Sequence, residues 1–153
     1  YNAIAPRSQV SVSVWRNQAS TSLTFTKVSG SELLNDTAGV VYTGSAWAWK
    51  NASSVGSISY QNDIYATTHV GDSFSLTFNG TGVDMITEKY SDEGQIAIYI
   101  DGVLKQTITC AQSTRAYQQT VYTITGLAAG HHTIKGVMKT GTYMIVDAFN
   151  VHS

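Results

Sequence analysis

The chain has 153 residues, one cysteine and a formal net charge of −1, with 42% hydrophobic but only 12% charged residues. That length fits one domain with a continuous core, and the charge balance leaves no basic footprint for nucleic acid or an anionic membrane. Cys110, alone, excludes an intramolecular disulfide and a cysteine metal cluster, and no apolar run reaches membrane-spanning length.

The chain opens at Tyr1 without methionine or a secretory leader, so it reads as a piece of a larger protein. Val10, Val12 and Val14 alternate with serines, and Leu23 and Phe25 resume the pattern after a polar turn. Strands are therefore expected near 9–16 and 22–28. This hairpin, residues 1–30, is either part of the sandwich or the tail of an upstream domain, with the seam at Ser29-Gly30-Ser31. Residues 31–153 form the main domain. Gly30 to Asp36 alone suggests a helical turn. Further strands are expected near 38–43, 46–50, 57–60, 73–79, 83–89, 95–101, 103–109, 117–125, 131–139 and 143–151. Phe74, Leu76 and Phe78 share one face, as do Ile96, Ile98 and Ile100, and Asp101-Gly102 marks a tight hairpin. Without helical periodicity, the class is an all-β, antiparallel sandwich.

Alternation of direction then sorts the connections. Those at 79–82, 101–102 and 126–130 share one end and are chemically plain. Those at 61–72, 89–94, 110–116 and 140–142 share the other, which carries charged and aromatic groups. Loops on a rigid scaffold are where binding groups collect. Sugar recognition needs flat aromatic faces and polar partners for hydroxyls. Tyr90, Tyr117, Trp47 and Trp49 supply the first, and Glu88, Asp92, Asp63, Asn62 and Arg115 the second. Each has a plainer alternative. Trp47 and Trp49 share a strand face and are either core or a second platform, and Arg115 either contacts ligand or pairs with Asp92 or Glu93 across the loops.

Asp147 shares a strand face with Ile145 and Phe149, and a carboxylate there needs a partner. That partner is either calcium, with Glu32 and Asp36 as co-ligands, or backbone N–H groups at a loop. No EF-hand, Gly-x-Ser-x-Gly elbow, HExxH or phosphate loop occurs, and no two histidines have zinc-ligand spacing. The rival functions are a small glycosidase or lyase using Glu88, Asp92 or Glu93, and a structural or adhesion domain of a surface or phage protein.

Several segments together resemble a known family. These are Asn35-Asp36, Tyr42-Thr43-Gly44-Ser45-Ala46-Trp47, Gly71-Asp72-Ser73-Phe74, Ile98-Tyr99-Ile100-Asp101-Gly102, Gly130-His131-His132-Thr133-Ile134 and Val146-Asp147-Ala148-Phe149. Over about residues 35–151 the chain resembles a non-catalytic carbohydrate-binding module of the galactose-binding-domain-like jelly-roll class, as in families 6 and 35. The resemblance implies a structural calcium at Asp147 and a polysaccharide or oligosaccharide ligand. It also implies an extracellular monomeric unit that targets a secreted glycoside hydrolase to a neutral polysaccharide.

Overall fold

A computed structural model of the chain describes residues 30–153 in full and residues 2–4, 9–11 and 26–27 as backbone strands. Those three short strands, β1 (Asn2–Ile4), β2 (Gln9–Ser11) and β3 (Thr26–Lys27), form an antiparallel sheet. The remainder of the strands expected at 9–16 and 22–28 lies outside the described residues.

The body is a sandwich of two antiparallel sheets. One contains, in order across the sheet, β11 (Val103–Thr109), β10 (Gln95–Ile100), β13 (Gly130–Met138), β8 (Ser73–Gly80) and β5 (Val41–Thr43). The other contains β12 (Ala116–Ile124), β9 (Gly82–Lys89), β15 (Ala148–His152) and β4 (Ser31–Asn35). Their inward residues follow the period-two pattern of the sequence. Phe74, Leu76, Phe78, Ile96, Ile98, Ile134 and Met138 from the first sheet meet Val83, Met85, Phe149 and Val151 from the second. The Phe74 and Phe149 rings lie 5.5 Å apart, tilted against one another.

The core is intolerant at Gly136. A Cβ built there would overlap the Cε2 and Cζ atoms of Phe74, whose side chain is wholly buried and has nowhere to retreat. Gly136→Ala is therefore expected to cost about 3 kcal/mol through overpacking, read by urea unfolding. A cost near zero would show that the two sheets can separate locally.

The two loop groups fall where alternation of direction put them. At the plain end Leu127 N–H donates to Thr81 O at 2.8 Å and Asp101 N–H to Thr133 O at 2.9 Å. At the other end Tyr90 N–H donates to Cys110 O, Gln112 N–H to Tyr90 O and Thr142 N–H to Asp92 O, at 3.0, 3.2 and 2.9 Å. The edge strand β4 and its neighbour β15 end together at the plain end, where Ser153 N–H donates to Gly30 O at 2.9 Å.

Four expectations are corrected. Gly30 to Asp36 holds a strand, β4, because Leu34 turns inward and the backbone pairs with β15, from Asn35 opposite Ala148 to Ser31 opposite His152. Residues 57–60 are not a strand. They join two short 3-10 turns, Ala52–Val55 and Tyr60–Asn62. The connection 61–72 is not simply a loop, since it contains β7 (Asp63–Thr67). Finally, the single strand expected at 143–151 is broken at Asp147 into β14 (Met144–Val146) and β15. β14 and β7 join β6 (Ala48–Asn51) in a third small antiparallel sheet.

Candidate functional site

The third sheet has two chemically different faces. Directly opposed residues share a face, and Ala48 opposes Ala66, Lys50 opposes Ile64, and Ala66 opposes Ile145. These residues therefore look one way. Tyr65, Val146 and Met144 look the other, towards the sandwich core, where Tyr65 stacks on Tyr42 at 4.1 Å. The first face makes the floor of a groove of about 260 Å³. Ile64, Ala66 and Ile145 form that floor and Val55, Lys50, Asp92, Arg115 and Tyr143 its walls. Tyr143 is 38% exposed. Expected loop residues Asp92 and Arg115 thus do meet at one site. Lys50, Tyr143 and the aliphatic floor complete it.

Glu88 and Arg115 build the wall from within. Glu88 is only 3% exposed and accepts from Arg115 Nε at 2.8 Å, Arg115 Nη2 at 3.4 Å and Ser57 Oγ at 2.6 Å. Glu88 is thus a buried anchor and not a free partner for hydroxyls. The carboxylate holds the Arg115 proton more tightly than usual, mainly through that hydrogen bond. The guanidinium lies 5.4 Å from the Tyr90 ring centre and 5.3 Å from that of Tyr117, within cation–π range of both. Tyr117 also donates its hydroxyl to Gly56 O at 3.0 Å. Arg115 already covers both rings expected to stack on sugar, so they serve as its cradle. The ion-pair alternative for Arg115 was correct in kind, with Glu88 as the partner instead of Asp92 or Glu93.

Glu93 stands behind this wall. It is 3% exposed, and its Oε2 has no partner. Burial first, then the charges of Glu88 and Asp92, push its pKa up to about 9 against the pull of Arg115. Cys110 is buried, and burial with Glu93 nearby pushes its thiol up to about 12, which makes it inert.

The other sequence candidates gather across the small sheet. Trp47 donates its indole N–H to Thr43 O and Ser73 O at 3.1 and 3.0 Å, and its ring packs 4.6 Å from Tyr42. It is a structural residue. Trp49 is 50% exposed, with its indole N–H on Asp63 Oδ2 at 3.1 Å. Asp63 also accepts from Asn35 Nδ2 at 3.0 Å, so it belongs to this side and is not in the groove.

Asp63 brings the acidic residues together. Asp147 is 2% exposed where the chain leaves the small sheet, and its carboxylate accepts from Tyr60 N–H at 3.0 and 3.3 Å. Its carbonyl accepts from Asp36 N–H at 3.0 Å. The loop alternative for Asp147 is thus realised in part. Burial, then the Asp63 charge, then that of Asp147, pushes Asp36 up to about 8. Burial, opposed by the Tyr60 bond and reinforced by Asp63 and Glu88, pushes Asp147 up to about 7. Both Asp36 carboxylate oxygens, Asn35 Oδ1 and Asp63 Oδ1 are buried without a partner. Such a set of orphaned hard oxygens suits a cation like calcium. Among the described residues no three His, Cys, Asp or Glu side chains stand as a metal-binding group. Glu32 does not join them. It opposes Val151, three positions along β4 from Asn35, or about 10 Å at strand rise.

The shared motif residues have structural reasons. Asp72 accepts from Ser45 N–H, Ala46 N–H, Thr67 Oγ1 and the His69 ring, which ties the approach to β6 onto β8. A side chain at Gly44, whose φ is +136°, would overlap that carboxylate.

Comparison with known proteins agrees with this architecture. Residues 54–149 match the family described as carbohydrate esterase 2 N-terminal. The chain is 35% identical over 98 residues to the A type blood N-acetyl-α-D-galactosamine deacetylase of Flavonifractor plautii. That match covers 64% of this chain but only 12% of the relative. Among solved structures, a family 35 carbohydrate-binding module from Clostridium thermocellum superposes with a TM-score of 0.56 at 12% identity, covering 80% of this chain and 97% of its own. A family 36 module solved with calcium and xylotriose gives 0.51 at 16% identity, covering 80% and 99%. This chain belongs to the carbohydrate esterase 2 N-terminal family and has the β-sandwich fold of carbohydrate-binding modules.

Proposed function

We propose that the chain is a non-catalytic carbohydrate-binding module of a secreted, multidomain carbohydrate-active enzyme, and that the groove beside Tyr143 is its sugar site. One observation carries this reading: an apolar floor, an exposed tyrosine ring and three charged groups meet at the loop end of the fold. Asp92 accepts hydrogen bonds, Lys50 and Arg115 donate them, and a sugar hydroxyl needs both. The family membership supports a place beside a carbohydrate esterase, and the family 36 neighbour holds a xylose oligomer. The non-catalytic reading is supported by Glu88 being held by Arg115 and Ser57, and by Glu93, with its raised pKa, not lining the groove. No helix among the described residues is long and apolar enough to cross a membrane. A neutral polysaccharide ligand, a monomeric state and an extracellular setting complete the proposal.

The acidic cluster is proposed as a structural calcium site held by Asp36, Asp63, Asp147 and the Asn35 side-chain oxygen. Calcium there would neutralise carboxylates that otherwise repel one another in a dry setting. Through Asp63 and Trp49 it would also steady the small sheet whose far face floors the groove.

Affinity electrophoresis on a panel of soluble polysaccharides tests the function. Retardation without release of reducing ends is expected, with micromolar to millimolar affinity on the order of other wet, hydroxyl-rich ligands. Tyr143→Ala should weaken binding roughly three- to tenfold, the worth of one aromatic contact, at an unchanged melting temperature. If Trp49→Ala abolishes binding in a folded protein while Tyr143→Ala binds normally, the site is on the other face of the small sheet. Release of reducing ends would make the chain an enzyme.

A further inference from the structure

We propose that the groove selects an acetylated sugar, seating the acetyl methyl group on Ile64, Ala66 and Ile145; this rests on the groove being the sugar site. The flat C–H face of a sugar ring is best matched by an aromatic ring. No aromatic ring floors this groove. Its floor is three aliphatic side chains that form a hydrophobic cluster separate from the main core. Of the rings nearby, Tyr143 stands in the wall, free for the sugar ring itself, while Tyr90 and Tyr117 face the Arg115 guanidinium. An aliphatic floor suits a methyl group better than a ring face with its fringe of hydroxyls.

The walls match the rest of an acetyl group. Lys50 and Arg115 are donors for its carbonyl oxygen, and Asp92 accepts an N–H when the acetyl is carried on nitrogen. Charge argues against an acidic sugar. The cations Lys50 and Arg115 are balanced by Asp92 and by Glu88 behind Arg115, which leaves no net positive field for a carboxylate. Size agrees as well. At about 260 Å³ the groove falls below the roughly 300 Å³ at which ordinary small-molecule pockets begin, room for one substituted sugar unit.

The test is titration of the whole chain with two matched pairs of methyl glycosides, N-acetylglucosaminide against glucoside and N-acetylgalactosaminide against galactoside. Binding is followed by the methyl NMR signals of isoleucine. In at least one pair the acetylated member is expected to bind about tenfold more tightly, the combined effect of one buried methyl and one hydrogen bond. The signals of Ile64 and Ile145 should shift while those of Ile96 and Ile134 in the main core stay still. Lys50→Met, which keeps the stem and removes the donor, should reduce the preference several-fold. Equal binding of both members in each pair, or shifts that spare Ile64 and Ile145, overturns the acetyl assignment and leaves sugar binding standing. Failure of all four glycosides and of the polysaccharide panel overturns both.

Discussion

Protein stripped with EDTA at pH 7.5 is expected to gain roughly 5–10 °C in melting temperature when calcium is added to about one hundred times its Kd, equivalent to about 2.7 kcal/mol by mass action. The cause lies in Asp36 and Asp147, which burial and neighbouring carboxylates push up to about 8 and about 7. Both values lie above the 3.8 of a free aspartate, so the metal-free fold holds protons that the unfolded chain gives up. Their contribution to stability is full below about pH 4 and is lost as pH rises through about 7 to 8. Calcium competes with those protons, so the gain should be larger at pH 8 than at pH 5.5. Identical melting curves with EDTA and with calcium at pH 8 would remove the metal from the account. So would an Asp36→Asn variant whose response to calcium matches the parent.

Arg115→Ala should be the most damaging change at the groove, costing about 2–4 kcal/mol and roughly 5–15 °C in thermal denaturation. It strands the carboxylate of Glu88, 3% exposed, with Ser57 Oγ as its remaining side-chain partner. It also leaves Tyr90 and Tyr117 facing a gap. Partial exposure of Arg115, at 28%, lets water offset some of the loss and keeps the figure below that of a fully enclosed pair. The double variant Arg115→Met with Glu88→Gln should recover most of the stability, since neither side chain then carries a stranded charge. A melting temperature for Arg115→Ala within about 2 °C of the parent would show that Glu88 is solvated in solution.

Much of the sandwich was legible because its strands are half-buried and alternate strictly. Phe74-x-Leu76-x-Phe78 and Ile96-x-Ile98-x-Ile100 read the same way in sequence and in space. The small sheet was harder to see. Ile64-Tyr65-Ala66-Thr67 carries the same alternation, but it follows Asn62 and Asp63, residues that usually mark turns, and it is only one strand long. Residues 30–36 read as a helical turn, since they show no alternation strict enough to mark a strand. Pairing with β15, contributed from more than a hundred residues away, makes Ser31–Asn35 a strand. At the site, the convergence of Asp92 and Arg115 followed from loop order alone. That Glu88 would be buried did not, because a strand-end glutamate gives no sign of an arginine reaching it from another loop. Asp63 misled for a related reason. Its position in the chain says loop, and its register opposite Asn51 in the small sheet sends it towards Asn35 and Trp49.

The hydrogen bond from Ser153 to Gly30 carries a geometric consequence for whatever this body is joined to. β4 leaves Gly30 and β15 returns to Ser153 as neighbours, opposite the end where Tyr143, Asp92 and Arg115 stand. Gly30 and Ser153 therefore share the plain pole, and the groove lies at the opposite one. Held this way, the body works like a hand on a wrist. With the proposed groove at the tip, a sugar chain held there would lie about a sandwich length from whatever the plain pole is attached to.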